Sequence, residues 1–139
     1  LTSSTSFIPD KWYFIAIVWN ESTDQLYIYL GDQDNVPVLD AANNAWTLTV
    51  STVGVTQNNF LASRGGVNPT DGHGDDLRYF NVDRSLVEIQ GDYKIELTGL
   101  EANLQSYYRL NSNFDDAGSS NNDGTGSGTY SFSTDAPFS

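Results

Sequence analysis

An apolar run near the N-terminus is the strongest pattern in the chain. Between Lys11 and Asn20 both alternating classes are hydrophobic: Trp12, Phe14, Ala16 and Val18 in one, Tyr13, Ile15, Ile17 and Trp19 in the other. A strand that is covered on both faces has this composition, so we predict an interior strand. The polar residues 20–24 and the alternating segment Gln25–Leu30 predict a turn and a return strand, with Gly31-Asp32 ending the hairpin.

A second pattern runs from a strand into a helix. Positions 77–80 alternate between two faces, as residues in a strand do. Ser85 and Glu88 then have the spacing of a capping box, in which each side chain bonds the other residue's backbone N–H. We therefore predict one short helix over Ser85–Gln90, ended by Gly91.

The rest of the chain predicts an all-β fold with long loops. Tyr, Thr, Ser, Asn, Gly and Asp are abundant, while strong helix formers are scarce. Alternation predicts four further strands, at Trp46–Val50, Phe60–Ser63, Tyr93–Leu97 and Leu104–Leu110. The segments Val36–Ala45 and Arg64–Gly74 are predicted to be loops because they are rich in Gly, Asn and Pro.

Length and charge narrow the class of protein. The chain has 139 residues, which is enough for one domain, and a net charge of -12. Nucleic acids and anionic membrane surfaces are therefore poor partners, because both require Lys and Arg. No apolar run approaches the ~20 residues of a membrane span, and no Cys is present. The chain starts with Leu and without a signal peptide, so we expect it to be a piece cut from a longer protein. The acidic charge suits a protein that is extracellular or at the cell surface.

The stretch Gly74–Ile89 resembles part of a known family. Its Asp-Asp-Leu-Arg-Tyr-Phe-Asn, Arg-Ser-Leu and Glu-Ile are similar to the penultimate strand and trailing helix of LamG-like domains, the concanavalin A-like jelly rolls. The N-terminal hairpin resembles the hairpin of that family at Trp12, Ile15, Ala16, Leu26, Tyr27, Tyr29 and Gly31. The resemblance implies a two-sheet antiparallel jelly-roll sandwich with the one short helix near Ser85–Gln90.

The C-terminal segment resembles the opening of a LamG-like unit. Residues 107–110, Phe114-Asp115 and 119–125 match the family's Tyr-Trp-Pro-Phe-Asp and Asp-Ser-Ser-Gly-Asn-Gly-Asn-Asp-Gly-Thr patterns. The resemblance thus divides the chain into 1–103, the second half of one unit, and 104–139, the start of another. The second segment either packs as the closing edge of this domain or pairs with a neighbouring copy or repeat by strand donation.

Two polar clusters are candidate sites. Asp115, Asp116, Asn121, Asn122 and Asp123 lie on a Gly-rich loop and could supply the hard oxygen ligands of calcium, although their spacing is not that of an EF-hand. The alternative is a solvated acidic loop. The second cluster is Asp71, His73, Asp75 and Asp76, where a zinc site is disfavoured because no second His and no Cys is present. Asp75 and Asp76 resemble the Asp-Asp pair of LamG-like domains, and the resemblance implies that Arg78 is their ion-pair partner.

Aromatic residues suggest a glycan-binding surface. Sugar rings stack on flat aromatic side chains, and Asp, Asn and Arg bond sugar hydroxyls. The candidate residues are Trp19, Tyr27, Tyr29, Arg64, Asp71, His73 and Tyr79. The alternative is that these aromatic residues belong to the core. Asn20 begins an Asn-Glu-Ser sequon in the predicted turn and is a candidate glycosylation site.

Catalysis is not expected. Glu88 belongs to the capping box, Glu96 stands alone, and the closely spaced carboxylates of glycoside hydrolases are missing. Two functions remain. The first is a non-catalytic LamG-like repeat unit of an extracellular adhesin or filament, with other copies of itself or neighbouring repeats as partners. The second is a carbohydrate-binding module of a polysaccharide-degrading enzyme, with a glycan as partner.

Overall fold

The computed structural model describes residues 2–43 and 72–133. These ranges hold two antiparallel sheets and one short helix, as predicted for an all-β chain. The strands are β1 (Tyr13–Asn20), β2 (Gln25–Asp32), β3 (Val38–Asn43), β4 (Leu77–Phe80) and β5 (Leu104–Tyr108), and the helix α1 is Leu86–Asp92. The strands predicted at Trp46–Val50 and Phe60–Ser63 lie outside the described residues.

The first sheet has the order β1-β2-β3. The predicted hairpin is confirmed, because β1 and β2 pair without a register shift from Tyr13 opposite Asp32 to Asn20 opposite Gln25. β2 and the hairpin ladder end with Gly31-Asp32, as predicted. The loop predicted at Val36–Ala45 is wrong: its residues from Val38 to Asn43 form β3, because Pro37 precedes the strand and removes no ladder bond.

The exposure of β1 differs from the prediction of a strand that is covered on both faces. Within the described residues β1 pairs with β2 alone. Its two faces also differ: Val18 is buried, whereas Ile15 and Ile17 are 52% and 68% exposed. Apolar composition on both faces therefore did not produce burial on both faces.

The second sheet pairs β4 with β5 and contributes to a buried hydrophobic cluster. Leu97, Leu104 and Tyr107 form the buried cluster, and Phe80 and Ala117 pack against it. The strand predicted at Tyr93–Leu97 is wrong, because this segment is irregular: the Ile95 carbonyl and the Leu97 N–H bond side chains instead of a neighbouring strand. Arg78 donates to the carbonyls of Asp92 and Ile95.

The helix begins as its sequence predicts and ends later. Ser85 is the N-cap, and the capping box with Glu88 is present on both sides. The helix continues through Gly91 to Asp92, whose carboxylate pairs with Arg84 from before the helix. The helix end also connects the two sheets: the Gln90 side chain donates to the carbonyl of Pro37 at 2.7 Å.

The segment after β5 folds back onto that strand. The Ala117 N–H donates to the Tyr107 carbonyl at 2.8 Å, and the Ser120 N–H donates to the Gln105 carbonyl at 2.9 Å. At two positions the backbone segments lie so close together that only glycine fits. Gly99 has φ of 93° and its Cα faces the Ala117 carbonyl, while a Cβ on Gly118 would lie 2.6 Å from the Gln105 carbonyl oxygen.

Candidate functional site

In the part of the chain that the structure describes, Tyr107 lies at the centre of the joint between β4 and β5. Tyr107 is fully buried. Its hydroxyl donates to Asp76 Oδ1 at 2.5 Å and accepts from the Leu97 N–H at 3.2 Å. The guanidinium groups of Arg78 and Arg109 lie 5.6 and 5.0 Å from its ring centre. One side chain of β5 thus contacts β4, the irregular segment before β5 and two cations.

Arg78 and Asp76 support that tyrosine. Arg78 Nη2 lies 2.9 Å from Asp76 Oδ2, which confirms the expected ion pair, and both side chains are largely buried. Asp76 has φ of 53°, a left-handed conformation that Asp adopts more readily than most residues. Its carboxylate therefore divides its two oxygens between a cation of β4 and the hydroxyl of β5.

Asp116 fixes the turn that follows β5. Its buried carboxylate accepts the backbone N–H groups of Tyr107, Gly118 and Asn122 at 2.8, 2.8 and 3.0 Å. Burial raises the pKa of Asp116, but these three donors and Ser106 outweigh burial and hold that pKa below its usual value. The ionised carboxylate is thus part of the folded backbone of the tail.

Burial and charge also shift the pKa values of two further groups at the joint. Burial, with the neighbouring Asp76 carboxylate, raises the pKa of the Tyr107 phenol well above its usual value. Burial and the charge of Asp76 raise the pKa of Asp75. The joint therefore keeps a neutral phenol between two cations and next to a carboxylate.

The residues predicted to bind glycans do not form one surface. Tyr27 and Tyr29 stack on one face of β2, with ring centres 6.2 Å apart and an interplanar angle of 27°. Trp19 is opposite Leu26 and so lies on the other face of the same sheet. Tyr79 belongs to β4 in the second sheet and is 61% exposed. His73 packs edge-on against Trp12 with ring centres 6.1 Å apart.

Two members of that glycan set, Arg64 and Asp71, lie outside the described residues. The half-buried Tyr27 and Tyr29 are the pair that the structure brings together, and burial with the charge of Tyr27 raises the pKa of Tyr29. The glycan-binding prediction as a whole stays a prediction.

The residues predicted to bind calcium have other partners. Asp115 Oδ2 accepts from Asn113 Nδ2 at 2.6 Å, and Asp123 Oδ1 accepts from the Asp116 N–H at 2.9 Å. Asn121 is exposed and has φ of 49°. Within residues 2–43 and 72–133, no group of three or more acidic or histidine side chains is placed to hold a metal ion. The calcium site stays a prediction.

Hydrogen bonds hold the side chain of Asn20 in its turn. Its Oδ1 accepts from the Thr23 N–H at 3.0 Å and from the Ser22 hydroxyl at 2.7 Å, and its Nδ2 donates to Asp83 at 2.6 Å. Attachment of a glycan to Asn20 Nδ2 requires that the bond to Asp83 be lost. The glycosylation site stays a prediction.

The sequence did not single out Tyr107 or the structural role of Asp116. Tyr107 is one of two adjacent tyrosines in a predicted strand, and alternation alone does not say which of them faces the core. The signal that was available is the resemblance of Tyr107-Tyr108-Arg109-Leu110 to the opening strand of a LamG-like unit. An opening strand must pair with another strand, which makes one of its aromatic residues a core candidate.

No family model, curated protein or solved structure matches the chain. The likeness to LamG-like domains therefore depends on the motifs alone. No helix in the part of the chain that the structure describes is long and apolar enough to cross a membrane.

Proposed function

We propose that this chain is a non-catalytic, LamG-like jelly-roll repeat unit of an extracellular adhesin or filament, and that β5 is the strand that joins successive units. The observation that carries the proposal is the burial of Tyr107 from β5 against β4. The proposal includes calcium as a ligand of the tail.

The pairing of β4 with β5 combines two different parts of the motif pattern. β4 lies in the stretch that resembles the end of a LamG-like unit, and β5 leads the segment that resembles the start of one. The two strands pair antiparallel over Leu77–Phe80, with Arg78 opposite Tyr107. The start of one unit is therefore complementary to the end of a unit, both in backbone bonds and in the core side chain.

That complementarity is what a repeating array needs. If β5 of one copy pairs with β4 of another, the joint gains the same backbone bonds and the same buried tyrosine, as in donor-strand complementation. Contacts of this head-to-tail kind do not close on themselves and generate filaments. In a single chain the same strand closes the domain instead.

Engineered cysteines distinguish these two pairings, because the chain has no Cys of its own. Tyr79 and Ser106 are directly opposite in the β4–β5 register, within disulfide distance. We would place Tyr79→Cys in one copy and Ser106→Cys in a second, and express the two together. Strand exchange predicts a disulfide-linked heterodimer on a non-reducing gel.

The matched control replaces Ser106→Cys by Thr125→Cys, an exposed position beyond the paired strand. It should give no heterodimer. Absence of the heterodimer, together with a closed intrachain disulfide when Tyr79→Cys and Ser106→Cys share one chain, would contradict strand donation. The chain would then be a self-contained unit.

The alternative function is a carbohydrate-binding module, and the stacked pair Tyr27–Tyr29 is the observation that favours it. A sugar ring that stacks on this pair would lose binding in Tyr27→Ala and Tyr29→Ala but not in Tyr79→Ala, which changes the other sheet. A glycan array on these three variants separates the two functions.

A further inference from the structure

We propose that Asp123-Gly124 is a site of spontaneous isoaspartate formation, that the folded tail after β5 (residues 111–133) suppresses the reaction, and that the product prevents the tail from closing again. The only co-reactant is water, so no ligand or partner is required. The proposal concerns the covalent chemistry of one peptide bond and does not depend on the proposed function.

An aspartate that precedes glycine rearranges through a cyclic imide. The Gly124 nitrogen attacks the side-chain carboxyl carbon of Asp123: a C–N bond forms, and the amide proton leaves with the carboxyl hydroxyl as one water. A second water then adds to one of the two imide carbonyls and breaks one C–N bond. Addition at the original main-chain carbonyl leaves Gly124 attached through the Asp123 side chain, which is isoaspartate. Glycine favours the attack because it has no Cβ beside the reacting nitrogen.

The folded tail engages both reacting groups. The Gly124 N–H donates to the Phe114 carbonyl at 2.7 Å, and Asp123 Oδ1 accepts from the Asp116 N–H at 2.9 Å. Ring closure requires that the nitrogen lose its proton and that the carboxyl group turn onto its own main chain. Both hydrogen bonds must therefore break before the imide forms, so the closed tail disfavours the reaction.

Contacts on both sides of Asp123-Gly124 keep these two bonds in place. Asp116 Oδ2 accepts the Asn122 N–H at 3.0 Å, and the Asn122 carbonyl accepts from the Tyr108 hydroxyl at 2.5 Å. Further along the tail, Phe114 packs edge-on against Tyr130 with ring centres 5.1 Å apart. The imide therefore requires opening of this segment and not only the rotation of one side chain.

Opening of the tail does not require unfolding of the sheets. Asp123 and Gly124 are exposed and belong to no strand or helix. Segments of this kind open locally, at a lower free energy than the whole domain, because few buried contacts are lost. We therefore expect isoaspartate to form from a chain whose tail is open while β4 and β5 remain paired.

The product cannot restore the original contacts. Isoaspartate lengthens the main chain by one carbon between positions 123 and 124 and places the free carboxylate on the Cα. The carboxylate and the Gly124 N–H are then displaced relative to each other, so the bonds to Asp116 and Phe114 cannot both form again. Each modified chain therefore keeps a loosened tail.

Peptide mapping tests the site and its suppression. The chain has two Asp-Gly pairs, and trypsin separates them: Asp71-Gly72 lies in peptide 65–78 and Asp123-Gly124 in peptide 110–139. Isoaspartate is located by electron-transfer fragmentation after incubation of the full chain with and without urea. In urea both peptides should gain isoaspartate, whereas folding should slow the reaction at Asp123 about tenfold or more.

Two results of this mapping would overturn the proposal. If Asp123 gains no isoaspartate in urea, the pair is not a modification site. If its rate is the same with and without urea, the fold does not suppress the reaction. Peptide 65–78 shows in each sample that isoaspartate was formed and detected in urea.

A pair of glycine variants tests opening of the tail. Gly118→Ala places a Cβ 2.6 Å from the Gln105 carbonyl oxygen and should raise the rate at Asp123 about fivefold or more. The control Gly91→Ala places its Cβ in open space and should leave the rate unchanged. Circular dichroism checks that both variants are folded. An unchanged rate in folded Gly118→Ala, or an equal rise in both variants, would contradict this route.

Hydrogen exchange of the wild type keeps the proposal testable if Gly118→Ala does not fold. Urea below the unfolding transition should raise the exchange rate of the Gly124 N–H and the isomerisation rate at Asp123 by the same factor, because one opening permits both. Faster exchange without faster isomerisation would contradict the proposal. In purified isoaspartate product, the Ala117 N–H, which bonds the Tyr107 carbonyl, should exchange faster than in the unmodified chain. Unchanged protection would show that the modified tail still closes.

Discussion

The two sheets are stabilised by different kinds of contact. The first has three strands of six to eight residues with a long regular ladder, and its β1 exposes Ile15 and Ile17. The second has two strands of four and five residues, yet it contains the fully buried Tyr107. Backbone pairing between neighbours in sequence dominates the first sheet. Side chains that bond distant backbone groups dominate the second.

The contrast shows that hydrophobic composition and burial are different properties. β1 is the most apolar strand but half-exposed, while β5 carries Gln105 and Ser106 and lies in the core. Polar side chains around β5 bond the backbone of irregular segments, which otherwise would lose water without gaining a partner. The apolar side chains of a strand such as β1 make no such directional bonds, so they do not specify which segment packs on them.

Truncation of one residue in each sheet should give the largest difference. Tyr107→Ala removes a fully buried aromatic side chain and should lower the free energy of unfolding by about 3–5 kcal/mol. Ile17→Ala, on the exposed face of β1, should change it by less than ~0.5 kcal/mol in dilute, monomeric protein. Urea unfolding followed by circular dichroism measures both, and similar losses in the two variants would contradict the contrast.

A smaller effect should come from the carboxylate that fixes the tail. Asp116→Asn replaces an acceptor of three backbone N–H groups and should cost about 2 kcal/mol. The exposed neighbour Asp115 provides the matched variant, Asp115→Asn, which should melt almost like the wild type. Thermal unfolding at pH 7 distinguishes them.

The comparison of the wild type with Asp116→Asn also predicts how stability depends on pH. Because the pKa of Asp116 is lowered in the folded state, its contribution is complete above the unfolded value of ~3.9 and is lost as pH falls through the folded value. The difference between wild type and Asp116→Asn should therefore shrink below about pH 4. A difference that stays constant down to pH 2 would exclude this role for the charge.

The smallest effect is expected at the helix that connects the two sheets. Ser85→Ala removes the N-cap acceptor of the Glu88 N–H and should cost about 1 kcal/mol. Ser85→Asp keeps an acceptor at the cap and should retain most of that stability. If both variants lose the same stability, the capping box does not stabilise the connection.

Local signals in the sequence predicted the hairpin, β4, β5 and the helix start. The turn after Asn20, the capping box at Ser85 and the alternation at 77–80 all act within a few residues, so the sequence contains the whole signal. β3 was missed because Pro37 and the asparagines indicate a loop, whereas the strand forms through its pairing with β2. The segment Tyr93–Leu97 alternates like a strand, but its Ile95 carbonyl bonds Arg78 and its Leu97 N–H bonds Tyr107.

The contacts of the candidate site were harder to predict from the sequence, because many of them join residues that are far apart in the chain. The ion pair of Arg78 with Asp76 joins residues two positions apart and was predicted. Tyr107 meets Asp76 across 31 positions, and no periodicity reports a contact of that range. The aromatic residues of β2 were grouped with Trp19 because all are large, although one pairing register places them on opposite faces.

The closely packed glycines give the low-complexity tail an unexpected sensitivity to mutation. Gly118 belongs to a tract of Gly, Ser, Asn and Asp in which one small residue reads much like another, yet any side chain there meets the backbone of β5. Gly128, ten positions later, has open space around it but a φ of 86°. Saturation mutagenesis of this tract and of Gly99 should therefore give a sharply uneven profile, in which Gly118 and Gly99 are intolerant and the exposed serines are permissive. Repetitive composition here conceals positions that carry as much structural information as the core.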